Sequence, residues 1–278
     1  MISLIGNFLS ILCLVNPVIS IQIGGLKLQK SFLRGNDSKS PWCYTMSMES
    51  IIDVGHDDKY DENIRNNLNE TPIAHKKGNF LATQVWPAAR VASQMIEQHA
   101  QHHWSICEFG CGPALPSLTA ASIISNTKGK KLDQSKETVK SKTVSSPYVI
   151  ATDLDSFALD MVKCAAEEQD IPLRTQIFDL TSKDPTKIPK ADLYIMSDVF
   201  ENNDIAKGAA FIAFTILKAG SKIWIFAQND RAQRETFRKD LQALLKDDSI
   251  GWTSEFVPCK GQDNLWLYDV DECNVRYN

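Results

Sequence analysis

Short apolar runs alternate with stretches of helical period along most of this chain from residue 84 onward. Ser105 to Phe109, Tyr148 to Ala151, Thr175 to Phe178, Ala191 to Met196 and Lys222 to Ala227 have strand length and strand composition. Between them apolar residues recur three or four apart: Ala88, Val91, Ala92, Met95 and Ile96, then a run from Leu115, then Phe157, Met161, Val162 and Ala165. Ile205, Ala209, Ile212, Ala213 and Ile216, and finally Phe237, Leu241 and Leu244, continue the pattern. Each set covers one face of a helix. Pro87 suits a first helical turn, Asp155 or Ser156 a cap, Gly220 a helix end, and Asp230 with Gln233 a capping box. Trp252 to Val257 and Leu265 to Val270 close the chain without a helix between them, so they are expected to pair as a hairpin. The expected fold is α/β: a doubly wound, mainly parallel sheet of seven strands, with helices on both faces and an antiparallel C-terminal hairpin, over residues 78–278. In such a fold ligands bind beyond the carboxyl ends of the strands.

One stretch carries chemistry at such an end. Glu108, Gly110, Cys111 and Gly112 turn a strand into a helix start, and glycine there lets a ligand approach the backbone while the first helix amides point at it. A nucleotide or its relative is the expected ligand. A dinucleotide fingerprint would place its third glycine at position 115, which is Leu115 followed by Pro116. Three acids follow later strands: Asp153, Asp179 and Asp198. Once the lysine-rich segment 126–147 is set aside as a solvated loop, the chain between Gly112 and Asp153 suits one helix and a turn, leaving Asp153 placed to hold ribose hydroxyls.

Composition bounds the rest. The chain has 278 residues, 43% of them hydrophobic, enough for one large domain with extensions. A net charge of −4 argues against wrapping nucleic acid or an anionic membrane, and a monomer is expected. Seven scattered cysteines without a C-x-x-C pair read as reduced thiols. His99, His102 and His103 share helical spacing, and placement at a helix C-terminus explains them better than a metal. Residues 1–36 pair an apolar run with a basic, acid-free segment, which reads as a signal-like and transit-like leader to an organelle, plastid or mitochondrion. A secretory signal, a membrane anchor and an unprocessed cytosolic tail are the other readings. Residues 37–77 read as a loosely structured polar lead-in, with sequons at Asn36 and Asn69 that matter only in a secretory compartment.

Glu108-x-Gly110-x-Gly112 resembles the first motif of class I methyltransferases that use S-adenosylmethionine, acid-x-G-x-G-x-G, with Ala114 at the third glycine. With QVWPAARVA, ATDLD and SDVFE, the chain from about Phe80 onward is similar to the seven-strand group holding protein-lysine methyltransferases and nicotinamide N-methyltransferase-like proteins. The resemblance implies that Trp86 packs beside the methionine end of the cofactor and that Glu108, Gly110 and Gly112 line it. It further implies that Asp153 binds ribose, with Leu154 beside it, and that Asp179 meets the adenine amino group. Ser197, Asp198 and Glu201 fall near the methyl to be transferred; lysine-modifying members carry D-x-x-Y, and here Glu201 stands at the tyrosine. Asp198 and Glu201 would then hold the ammonium of a protein lysine and pass on its proton, which costs about 4 kcal/mol to remove near neutral pH. A small molecule such as a pyridine is the other acceptor; a binding module without catalysis and a dehydrogenase are the readings outside this class.

Overall fold

The computed structural model describes residues 21–23, 26–35, 37, 39–46, 84–129, 146–247, 257–258 and 265–269. Its strands are β1 (Ile21–Ile23), β2 (Leu26–Phe32), β3 (Trp42–Met46), β4 (Ile106–Phe109), β5 (Val149–Asp153), β6 (Arg174–Ile177), β7 (Leu193–Ser197), β8 (Lys222–Gln228), β9 (Val257–Pro258) and β10 (Leu265–Asp269). Its helices are α1 (Pro87–His99), α2 (Leu115–Gly129), α3 (Ser156–Glu168), α4 (Asn203–Lys218) and α5 (Gln233–Asp247).

The large sheet runs β6-β5-β4-β7-β8-β10-β9. Its first five strands are parallel, with β4 central between β5 and β7, and β10 then pairs antiparallel with β8 and with β9. The chain moves outward from β4 to β6 on one side and resumes at β7 on the other, so the strand order reverses beside β4. That switch point leaves a crevice above the carboxyl ends.

Strand alternation divides the core. Cys107, Phe109, Tyr194, Met196, Ile223 and Ile225 face α4 and α5, meeting Ala209, Ile212, Ile216, Phe237 and Leu241. Ile106, Leu193, Ile195, Trp224 and Phe226 face the other way, onto Ala88, Ala92 and Ile96 of α1 and Ala120, Ala121 and Ile124 of α2. Because Glu108 shares the parity of Ile106, its carboxylate points under α2. Gly208 of α4 lets the chain at Leu180 pass against the helix: a Cβ there would lie 2.0 Å from the Leu180 carbonyl oxygen.

Several boundaries differ from the sequence reading. α1 ends at His99, so His102 and His103 lie beyond the helix. α2 continues through Gly129, taking residues 126–129 out of the lysine-rich loop, while 130–145 lie outside the described residues. α5 begins at Gln233, so Asp230 sits before the helix and makes no capping box. Asp155 does cap α3, accepting from the Phe157 amide at 2.9 Å. Of the expected strand at 252–257 only Val257 is described.

The larger correction is at the N-terminus. β2 and β3 pair antiparallel, and Leu28, Leu33, Trp42, Tyr44 and Met46 pack on Leu115 and Leu118 of α2 and on Ala158, Met161 and Ala165 of α3. β2 and β3 are thus packed on the helices of the large sheet, where the sequence reading places a leader through residue 36 and a loose lead-in from 37. Polar contacts fasten them: Gln169 bonds the Trp42 amide and carbonyl at 3.2 and 2.9 Å, and Glu168 takes both Lys30 and Tyr44. The few apolar residues of 26–46 suffice because they cover the outer surface of α2 and α3 and not a core of their own. Residues 1–20, both sequons and most of the lead-in lie outside the described residues.

Candidate active site

The strand-to-helix turn after β4 is built from left-handed residues. Gly110, Gly112 and Ala114 have φ of 60°, 47° and 56°. Alanine at the third of these holds the conformation a glycine would adopt freely, at a cost of about 1 kcal/mol. At Gly110 the restriction is also steric: a Cβ would come 2.9 Å from Val199 Cγ1 and 3.3 Å from Leu180 Cδ1. The turn therefore touches the loops after both β6 and β7.

Glu108 does not line the crevice, contrary to the expectation for the motif's acid. Its Oε2 accepts from the Ser117 amide at 3.0 Å and the Ser117 hydroxyl at 2.6 Å, tying β4 to the first turn of α2, while Oε1 is buried without a partner among the described residues. Burial pushes its carboxyl up to about 8, against the pull of the Ser117 bonds and with the help of the Asp153 charge. Asp153 braces the same turn. Its Oδ2 accepts from the Gly112 amide at 2.8 Å and its Oδ1 from the Asp155 amide at 2.9 Å, and burial raises its pKa as well.

A cavity of about 460 Å³ opens above these residues, within the range of small-ligand sites. Trp86, Gly110, Gly112, Asp153, Leu154, Asp179, Ser197, Asp198 and Glu201 all line it, so the structure brings together every candidate but Glu108. Trp86 stands at the N-cap of α1, its φ and ψ extended, with Pro87 as the first helical residue. Leu154 is 67% exposed, an apolar surface turned into the opening. Asp179 accepts from the amide and hydroxyl of Thr181 at 2.8 and 2.7 Å through one oxygen, Oδ1. Ser197 is buried, and its hydroxyl has no partner among the described residues.

Asp198 sits differently from the other acids. Its φ is 60°, and its amide donates to the Phe226 carbonyl of β8 at 2.9 Å. Arg231 grips the carboxylate with Nε at 2.9 Å and Nη2 at 2.7 Å, and Gln228 Nε2 adds a bond of 3.0 Å. The same guanidinium lies 5.6 Å from the Trp86 ring centroid. Glu201, three residues on, is exposed to the cavity, and among the described residues its side chain accepts no hydrogen bond. Partial burial, followed by the Asp153 charge, raises its pKa, and Arg231 lowers it.

Sequence reasoning missed Arg231 and Gln228. The signal was present: β4, β5, β6 and β7 each deliver their following residues to the crevice, and Arg231, three residues past the neighbouring parallel strand β8, reaches it through Asp198. Asn202, Asp204 and Ile205 at the start of α4 were also missed as lining residues. Asn202 caps that helix, accepting from the Asp204 and Ile205 amides at 3.0 Å each.

No family model matches this chain, and no curated protein matches it. Solved structures overlap it in part. A TehB-like SAM-dependent methyltransferase from Corynebacterium glutamicum aligns at 16% identity and a TM-score of 0.44, over 63% of this chain and 84% of that one. TehB from Haemophilus influenzae aligns at 12% identity and a TM-score of 0.35, over 50% of this chain and only 40% of its own. An SAH-bound methyltransferase from Podospora anserina aligns at 13% identity and a TM-score of 0.40, over 67% and 79%.

Proposed function

We propose that this protein is a methyltransferase that uses S-adenosylmethionine and transfers the methyl group to a protein amine, most specifically a lysine side chain. The observation that carries the reading is the charge of the cavity around the glycine turn. Asp153, Asp179, Asp198, Glu201 and Asp204 line it, and among the described residues no lysine, arginine or histidine does. A pyrophosphate would meet that surface at a large electrostatic cost; a ligand carrying a sulfonium and an ammonium is attracted to it.

The residues present fit the group. Trp86 and Ser197 would hold the methionine end, Gly110 and Gly112 give backbone access, and Asp153 and Asp179 would bind ribose and adenine, with Leu154 covering the base. When bound, the cofactor supplies a methyl already activated by its sulfonium. What the chain must add is orientation of the acceptor, a deprotonated nitrogen and exclusion of water. The first two tasks fall to the loop between β7 and α4, whose carboxylates line the cavity. The seven-strand class I layout, with β10 and β9 as its antiparallel edge, belongs to the same proposal.

Calorimetry with S-adenosylhomocysteine and, separately, NAD tests the cofactor: binding of the first and none of the second is expected, and the reverse overturns the reading. Labelled S-adenosylmethionine with cell extract, or with nicotinamide, tests the acceptor. Label is expected in protein; label confined to a methylated pyridine would reassign the substrate to a small molecule.

A further inference from the structure

We propose that Glu201, and not Asp198, is the carboxylate that receives the cationic nitrogen of the acceptor, with Arg231 the positioning residue that withdraws Asp198 from that exchange. The inference rests on the methyltransferase reading above and narrows its acceptor subsite.

The two carboxylates differ in what they have left to offer. The Asp198 side chain is 1% exposed and holds three charge-assisted or amide bonds, two from Arg231 and one from Gln228. Its backbone is pinned by the bond to Phe226 and the left-handed φ. An incoming ammonium would have to displace a bidentate guanidinium and leave that cation unpaired, which opposes the exchange. Glu201 presents a carboxylate to the cavity that no described donor occupies. Ser197, adjacent to Asp198 in the chain, adds a buried, lining hydroxyl still without a partner. With Asp198 and Arg231 neutralising each other, Glu201 carries the uncompensated charge of the β7 loop. A single cationic group is the partner this arrangement selects. Partial burial first, then the charges of Asp153 and Asp198, keep the Glu201 pKa raised, and Arg231 opposes them; a raised carboxyl is the better proton acceptor near neutrality.

Sinefungin tests the assignment because it resembles S-adenosylhomocysteine but carries an amine beside the position of the sulfur, standing where an acceptor ammonium and the methyl meet. Wild-type protein is expected to bind sinefungin more tightly than S-adenosylhomocysteine in calorimetry at neutral pH. Glu201→Gln should reduce that preference about tenfold, the worth of one charge-assisted bond, while leaving S-adenosylhomocysteine affinity within about twofold. Arg231→Gln, by releasing Asp198, should raise the preference; thermal melts accompany both variants, and the Glu201 arm stands if the arginine variant fails to fold. A preference unchanged in Glu201→Gln, or both ligands weakened equally, would overturn the inference and leave Glu201 a structural residue. Binding of neither ligand by wild type would instead overturn the cofactor reading itself.

Discussion

The two ends of the cavity use the same local device to opposite electrostatic effect. At the β4 and β5 end, Glu108 and Asp153 accept main-chain amides from Ser117, Gly112 and Asp155 and have no described cation, so both carboxyls are raised by burial, Glu108 further by the charge of Asp153 and Asp153 by that of Asp155. At the β7 end Asp198 also sits beside a left-handed turn, yet it is neutralised by Arg231 delivered from beyond β8. One end presents Asp153 without a cation, which a cationic ligand would supply; the other has already satisfied its buried acid and exposes a second one, Glu201. Placement of an acid at a strand end therefore says where a site is. What the acid can do depends on whether the fold brings it a partner.

Removing the partner gives the largest expected effect. Arg231→Ala leaves Asp198 buried with only Gln228, and a loss of about 3 kcal/mol in urea unfolding is expected, the usual range for breaking a buried pair reduced because Arg231 is 26% exposed. A loss below about 1 kcal/mol would mean that the two ends do not differ in the way described.

A smaller loss should come from the seam between them. Gly110→Ala adds left-handed strain and a contact of 2.9 Å with Val199, whose side chain gives way, for a total of about 2 kcal/mol. Since Val199 follows Asp198 and Leu180 follows Asp179, S-adenosylhomocysteine affinity should fall with stability; affinity kept at wild-type level would show that the seam is not part of the site.

The most modest effect concerns the unneutralised end alone. A Glu108 carboxyl raised to about 8 in the folded protein, above its ordinary value of 4.5, means that folding takes up a proton between those values. The stability it contributes is complete below the unfolded value and is lost as pH rises through the folded one. Wild type should therefore lose at least about 1 kcal/mol between pH 6 and pH 9, and Glu108→Gln, which keeps an acceptor for the Ser117 amide, should flatten that slope. Equal slopes in the two proteins would remove Glu108 as the cause.

Much of the scaffold was legible from short-range patterns, because strand parity and helix period follow from backbone geometry alone. The β4 turn, Asp153, Asp179 and the face of α4 could be placed by counting residues. The N-terminal strands were missed. Ile21, Ile23, Leu26 and Leu28 alternate with polar residues about Gly24-Gly25, a local hairpin signal; what the chain does not show locally is that β2 and β3 pack on α2 and α3, whose residues lie some seventy or more positions away. Glu108 misled for a related reason: the motif fixes its position on β4, but the parity that turns it under α2 is set by which face of the sheet α2 covers.

The sequence by itself determined the alternation of strands and helices, the glycine turn at Gly110 and Gly112, and the strand ends at which acids collect, since each depends on neighbours within a few residues; that Ala114 is left-handed as well came from the structure. Only the tertiary structure decided that Asp198 is paired and Glu201 is open. Arg231 is 33 residues from Asp198 in the chain and reaches it because β8 lies parallel beside β7, a contact that no local propensity encodes.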